Sequence, residues 1–149
     1  MQGQLDPIQL MQKIGELESK IDALRTIEIG GVWQNWTPTL TGWSSNPPGI
    51  YRYCLIGKLC TVMILHSDAG ISNATNSIIT APFASKSGGG YWMNSCQFRN
   101  NGATSATPGQ AQIGNGSSNI NFYTTFAGGA WTASGDKRIL NCVLTYEIA

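Results

Sequence analysis

Residues 8–43, IQLMQKIGELESKIDALRTIEIGGVWQNWTPTLTGW, place two different periodicities side by side with no linker between them. Leu10, Ile14, Leu17, Ile21 and Leu24 are spaced 4-3-4-3, the d-a-d-a-d seam of a heptad helix. Ahead of them Asp6, Pro7 and Gln9 supply an N-cap, a first-turn proline and a capping-box partner. Gly30 and Gly31 then interrupt the period, and from Val32 onward the residues alternate as in a strand. The chain therefore divides into residues 1–31, attachment residues and a coiled-coil helix, and residues 32–149, a β head.

The charges on the helix suit a seam between chains. Glu16 and Lys20 form an i,i+4 pair, and Lys13 at g reaches Glu18 at e of a neighbouring helix. The alternative is an amphipathic helix folded back on its own domain, which periodicity alone leaves open. Fewer than three heptads do not hold chains together unaided, because burying five seam residues falls short of the entropy lost in ordering the helix. Ile at a with Leu at d favours two strands. Over so short a seam that preference is soft, and a larger interface between heads overrides it.

Composition supports the division. Charged residues are only 11% of the chain while Gly, Ser, Thr and Asn abound, as in a turn-rich β protein. Apolar content of 42% with a net charge of +1 excludes intrinsic disorder. Residues 1–31 carry three basic and five acidic side chains, and residues 32–149 carry six and three, so the head is +3 and scattered. No like-charge run marks a nucleic-acid footprint. The start, MQGQLDPIQLM, lacks a basic and then apolar leader, and no apolar run approaches the ~18–20 residues of a membrane span. The expectation is a chain made in the cytoplasm, without signal peptide or membrane insertion.

In the head, strands are expected over residues 32–40, 50–56, 59–66, 77–81, 91–99, 111–114, 119–126 and 139–148, with turns at Pro47-Pro48-Gly49, Gly57-Lys58, Asn101-Gly102, Asn115-Gly116 and Gly128-Gly129. This spacing predicts a mainly β, antiparallel sandwich or barrel. If Gly57-Lys58 is a Gly-first two-residue turn, Ile56 faces Leu59, Leu55 faces Cys60 and Cys54 faces Thr61. Cys54 and Cys60 then point to opposite faces, so the four cysteines read as buried thiols, with a disulfide framework the alternative. In the last strand Leu140, Cys142, Leu144, Tyr146 and Ile148 share the inner side. The hairpin is apolar on both faces, Ile56, Leu59, Met63 and Leu65 forming the second, which calls for another layer or another subunit.

The motifs WQNWTPTLTGW, IYRYCLIGKLCTVMI and ITAPF resemble the opening half of the C-terminal heads of bacteriophage tail fibres and receptor-binding proteins. The likeness lies in Trp36-Thr37-Pro38-Thr39, in Tyr53 through Gly57-Lys58 to Val62, and in Pro82-Phe83, over about residues 33–83. It implies a homotrimeric, jelly-roll-like β-sandwich head on a short helical stalk, on a virion surface, binding a host-cell glycan or protein. Residues MQGQLDP would then meet a virion component. The chain lacks a long shaft and a collagen-like Gly-X-Y run. Two other readings are a virion decoration, capsid-fibre or tail-tip structural protein, and a cellular trimeric jelly-roll ligand.

No catalytic pattern stands out. Asp68, Asp136 and Glu147 are the carboxylates of the head and His66 its histidine, at no spacing of a glycosidase dyad or nucleophile triad. No catalytic, metal or cofactor residues are assigned, and the expectation is a non-enzymatic binder. The triplets at Asn35, Asn73 and Asn115 match glycosylation sites by chance in so Asn- and Ser-rich a chain. Segments 85–92 and 99–110 read as long polar recognition loops. Aromatic rings beside amides and a guanidinium make a sugar platform. Trp92, Arg99, Asn100, Asn101 and Trp131 are the receptor-binding candidates, against core packing as the alternative for each tryptophan.

Overall fold

The computed structural model describes the backbone of residues 6–28 and 31–149 and the side chains of residues 6–22 and 31–149. Residues 1–5 of the expected attachment segment, the helix stop at residues 29–30 and the side chain of Leu24 lie outside the described residues. The chain forms two compact units, Met1–Gly31 and Val32–Ala149.

Helix α1 runs over Pro7–Glu28. Asp6 caps it reciprocally: its Oδ1 accepts the N–H groups of Ile8 (2.8 Å) and Gln9 (2.9 Å), and Gln9 Oε1 accepts the Asp6 N–H (3.4 Å). Leu10, Ile14, Leu17 and Ile21 form a stripe in which each side chain stays between 47% and 57% exposed. No helix among the described residues is long and apolar enough to cross a membrane.

The second unit is one curled antiparallel sheet. Its strands among the described residues are β1 (Gln34–Asn35), β2 (Leu40–Thr41), β3 (Trp43–Ser45), β4 (Gly49–Ile56), β5 (Leu59–His66), β6 (Gly70–Ser72), β7 (Ile78–Thr80), β8 (Trp92–Asn100), β9 (Ala103–Thr104), β10 (Gly109–Ile113), β11 (Asn119–Tyr123) and β12 (Asp136–Glu147). They pair in the order β1-β4-β5-β12-β8-β10-β11-β7-β2, with β3 and β6 as a side branch on β12 and β9 folded onto β8. The two ends of this order, β1 and β2, are joined in the chain by the four residues Trp36 to Thr39. The sheet therefore curls until its edges meet in one short stretch.

That corner replaces the single strand expected over residues 32–40. Pro38 has no N–H to give a ladder. On one side the Trp36 N–H donates to Tyr51 O (3.1 Å), and on the other Thr39 O accepts the Thr80 N–H (3.0 Å). The Trp36 indole also donates to Thr80 O (3.0 Å), tying one edge to the other.

The β4–β5 hairpin has the expected register, Ile56 opposite Leu59 and Cys54 opposite Thr61, and Gly57 takes φ 58° at the first turn position while Lys58 does not. All four cysteines are buried thiols. Burial pushes Cys96 up to about 12 and raises Cys60 and Cys142 as well, so none is a ready nucleophile. The last strand departs from expectation. A register shift between Ile139 and Asn141 inserts an extra residue, which turns Ile139 inward in place of Leu140. Inside, Val62, Ile64, Ile79, Phe98, Ile113, Ile120, Phe122, Leu144 and Tyr146 form the apolar core.

A lysine and a histidine are among the polar residues buried with that core. Lys137 is fully buried, and its ammonium donates to the carbonyls of Gly42 (3.0 Å), Ala74 (3.0 Å) and Asn76 (2.8 Å). Its three protons thus each find an acceptor, and the Trp43 and Trp131 rings lie 5.1 and 5.4 Å from the charge. Burial lowers its pKa to about 8, so the ammonium still prevails at neutral pH. Gly42 makes the cradle possible: it sits at φ 100°, and a Cβ there would run into the Asn76 carbonyl. His66, also fully buried, accepts the Ile139 N–H on Nδ1 (3.2 Å), so its proton resides on Nε2. Its ring meets Trp43 and Tyr51 edge-on.

Replacing Lys137 by Met takes a donor from each of three carbonyls, of which Gly42 O keeps the Asn73 N–H (3.2 Å) and Ala74 O the Ser72 hydroxyl (3.1 Å), and urea denaturation at pH 7 should show a loss of about 2–3 kcal/mol. His66 gives a second test. Burial, aided by Arg138, depresses its pKa from 6.5 to about 4, so below pH 6.5 the unfolded chain binds a proton that the folded one refuses. Stability should be full above pH 6.5 and fall by about 3 kcal/mol as pH drops to 4. His66→Asn, which retains an acceptor near the Nδ1 position, should lose that part of the slope.

Candidate functional site: a receptor-contact surface

The structure distributes the sequence-derived candidates over two ends of one strand. Arg99 and Asn100 end β8, and Asn101 takes φ 50° in the two-residue turn into β9. The expected loop over residues 99–110 is thus partly a hairpin. Arg99 Nε donates to Gly102 O (2.8 Å), Asn100 Oδ1 accepts the Thr132 hydroxyl (2.8 Å), and the Asn101 N–H donates to Asp136 O (2.7 Å). These contacts shape a rigid turn, on which Asn101 is exposed and the other two are half-buried.

Trp92 begins the same strand, about 24 Å from Arg99 at the rise of a β-strand. It is half-buried, with its ring against Gly89. It does not share a patch with the turn. Trp131 leaves the candidate set: it is 2% exposed, its indole donates to Phe122 O (2.8 Å), and its ring meets Phe98 edge-on at 5.0 Å. The ring faces Phe98 and the Lys137 ammonium, so it offers no stacking surface.

A different feature is an open groove of about 480 Å³ where the sheet closes on itself. One wall is the corner, Asn35 to Pro38, and the other is the β3–β4 connection with Asn46 and Pro47, leading to Tyr51. Trp36 and Tyr51 meet edge-on at 5.8 Å, and Trp36 and Tyr53 at 6.4 Å. Burial pushes the Tyr51 hydroxyl up to about 12, and it has no hydrogen-bond partner among the described residues. Among the described residues no charged side chain lines the groove. Aromatic and proline walls with asparagine amides at the rim suit the C–H faces and hydroxyls of an uncharged sugar. The signal lay in the sequence as NWTP and NPPG, two Asn-Pro-rich corners starting 11 residues apart that only the fold brings face to face.

The residues of acid–base chemistry are engaged otherwise. Glu147 pairs with Lys86 at 2.7 Å, Asp68 accepts the Ala69 N–H, and His66 is in the core. Among the described residues no three His, Cys, Asp or Glu side chains gather to hold a metal ion.

Trp131 and Asn101 should separate cleanly on substitution. Trp131→Ala should cost about 3–5 kcal/mol of stability, as for a large core aromatic. Asn101→Gly in the exposed turn should leave the thermal midpoint nearly unchanged, since the turn geometry suits glycine better still. Thermal denaturation followed by circular dichroism reads both.

No family model matches the chain, and neither a curated protein nor a solved structure matches it.

Proposed function

We propose that the chain is a virion attachment head of the bacteriophage tail-fibre type. Copies gathered by α1 carry jelly-roll-like heads as a homotrimer, anchored to the virion through the residues before the helix, and bind a glycan or protein of the host-cell surface without catalysis. The observation that supports this most is the uncovered seam. Leu10, Ile14, Leu17 and Ile21 each remain about half exposed on a well-capped helix, a state suited to burial against sister helices. The head adds open, uncharged concavities and a rigid polar turn, features of weak single-site recognition. Weak sites become useful when several are held together, because the second contact forms at the effective concentration set by the first.

Light scattering on the purified protein tests the assembly: three chains of 16.0 kDa give about 48 kDa. Ile14→Asp with Ile21→Asp should lower that mass and reduce binding of labelled protein to bacterial cells at least tenfold, with the β signal in circular dichroism unchanged. A monomeric parent overturns the reading. A trimer that binds no cells bearing surface polysaccharide favours the decoration-protein alternative.

A further inference from the structure

The hairpin presents a second face on which several apolar side chains stay exposed in the head. On the outer side of the sheet, β4, β5 and β12 are adjacent, and register places their side chains in rows. Arg52, Met63 and Val143 form one row; Cys54, Thr61 and Thr145 form the next; Ile56, Leu59 and Glu147 form the third. Ile56 is 55% exposed, Leu59 49% and Val143 41%. In the middle row the Thr61 and Thr145 hydroxyls bond each other at 2.9 Å, so that row asks nothing of water. Glu147 is already paired with Lys86. Arg52 lies under the Trp33 ring at 5.9 Å, with its Nε buried and unbonded among the described residues. A strand pair apolar on both faces is usual where both are covered, whereas a solvated face alternates to polar.

We infer that this outer face of β4, β5 and β12 is the surface on which the head packs against a second copy of the chain. The inference rests on the self-association proposed above and locates its second interface. The seam of α1 is too short to hold chains together by itself, so the assembly needs apolar surface elsewhere. Only five residues, 29–33, separate α1 from β1, which keeps the heads of associated helices close to one another. At the millimolar effective concentration of such a short tether, a modest patch is enough to dock. A copy of the same chain is therefore the partner this face meets at highest concentration. Its patterning fits: exposed apolar side chains in both end rows, an internally bonded threonine pair between, and an arginine whose Nε is buried without an acceptor among the described residues.

The test uses the full chain. Met63→Glu with Val143→Glu puts charge on the face at two side chains that are not fully buried, so the curled sheet should still form. Sedimentation should show the dissociation constant raised about a hundredfold or more. Tyr91→Glu, an exposed aromatic away from these rows, should leave it unchanged. Hydrogen exchange on the unmodified chain gives a reading independent of any variant: amides of residues 50–65 and 141–147 should gain protection as concentration rises through the association range. The interface is overturned if the double variant associates as tightly as the parent while Ile14→Asp with Ile21→Asp dissociates, or if added protection falls on α1 alone. A parent monomeric throughout removes the attachment-head reading and this interface together, whereas those first two results remove only the interface.

Discussion

One buried ammonium group ties three connecting segments of the head to β12. Lys137 starts near the beginning of β12 and reaches across the interior to three carbonyls on the segments that flank β2, β3 and β7. These segments are short and irregular, and their carbonyls have few strand partners to satisfy them. An apolar residue in the place of Lys137 would fill the volume and abandon the acceptors. The cation serves the role that a structural metal often serves in a small β protein, with carbonyl dipoles and two tryptophan faces in place of anionic ligands. No carboxylate is needed, which fits a head with only three of them.

Local chemistry in the chain announced itself, and long-range compensation did not. The Asp6–Gln9 capping box, the Gly57-Lys58 turn and the cysteine faces followed from spacing alone, because each depends on residues within a few positions. The Ile139–Asn141 bulge did not, since alternation counts every residue once and a bulge exists only relative to a partner strand. Lys137 was equally opaque: a lysine in a strand reads as solvent-facing until the carbonyls of Gly42, Ala74 and Asn76 are placed around it. Trp131 sat among glycines, alanines and serines that look like surface, yet the fold sends its ring to Phe98. Short β3, β6 and β9 passed unseen because two or three residues carry no period. The groove at the Trp36–Pro38 corner required two distant turns to meet, and neither turn contains that fact.

The groove proposed for recognition and the face proposed for assembly lie on different parts of the same sheet. The groove belongs to the seam where β1 and β2 meet, and the outer apolar rows belong to β4, β5 and β12. Ile50 borders the groove and stands on the same side of β4 as those rows, so the two surfaces are neighbours. A docked second head would stiffen the strand that forms one groove wall. In such an arrangement multivalency and site shape are linked through β4.

The joining of β1 to β2 by four residues has a bearing on how crowded heads behave. Open sheets carry two long unpaired edges, and these recruit any strand that comes near. Here the terminal strands in the pairing order are two residues each, and the corner between them is closed by Pro38 and the Trp36 indole. A protein tethered at high local density to its own copies is the kind most exposed to strand exchange and fibre growth. In the proposed assembly, β1 and β2 themselves present a neighbouring copy with only two residues each of terminal-strand backbone.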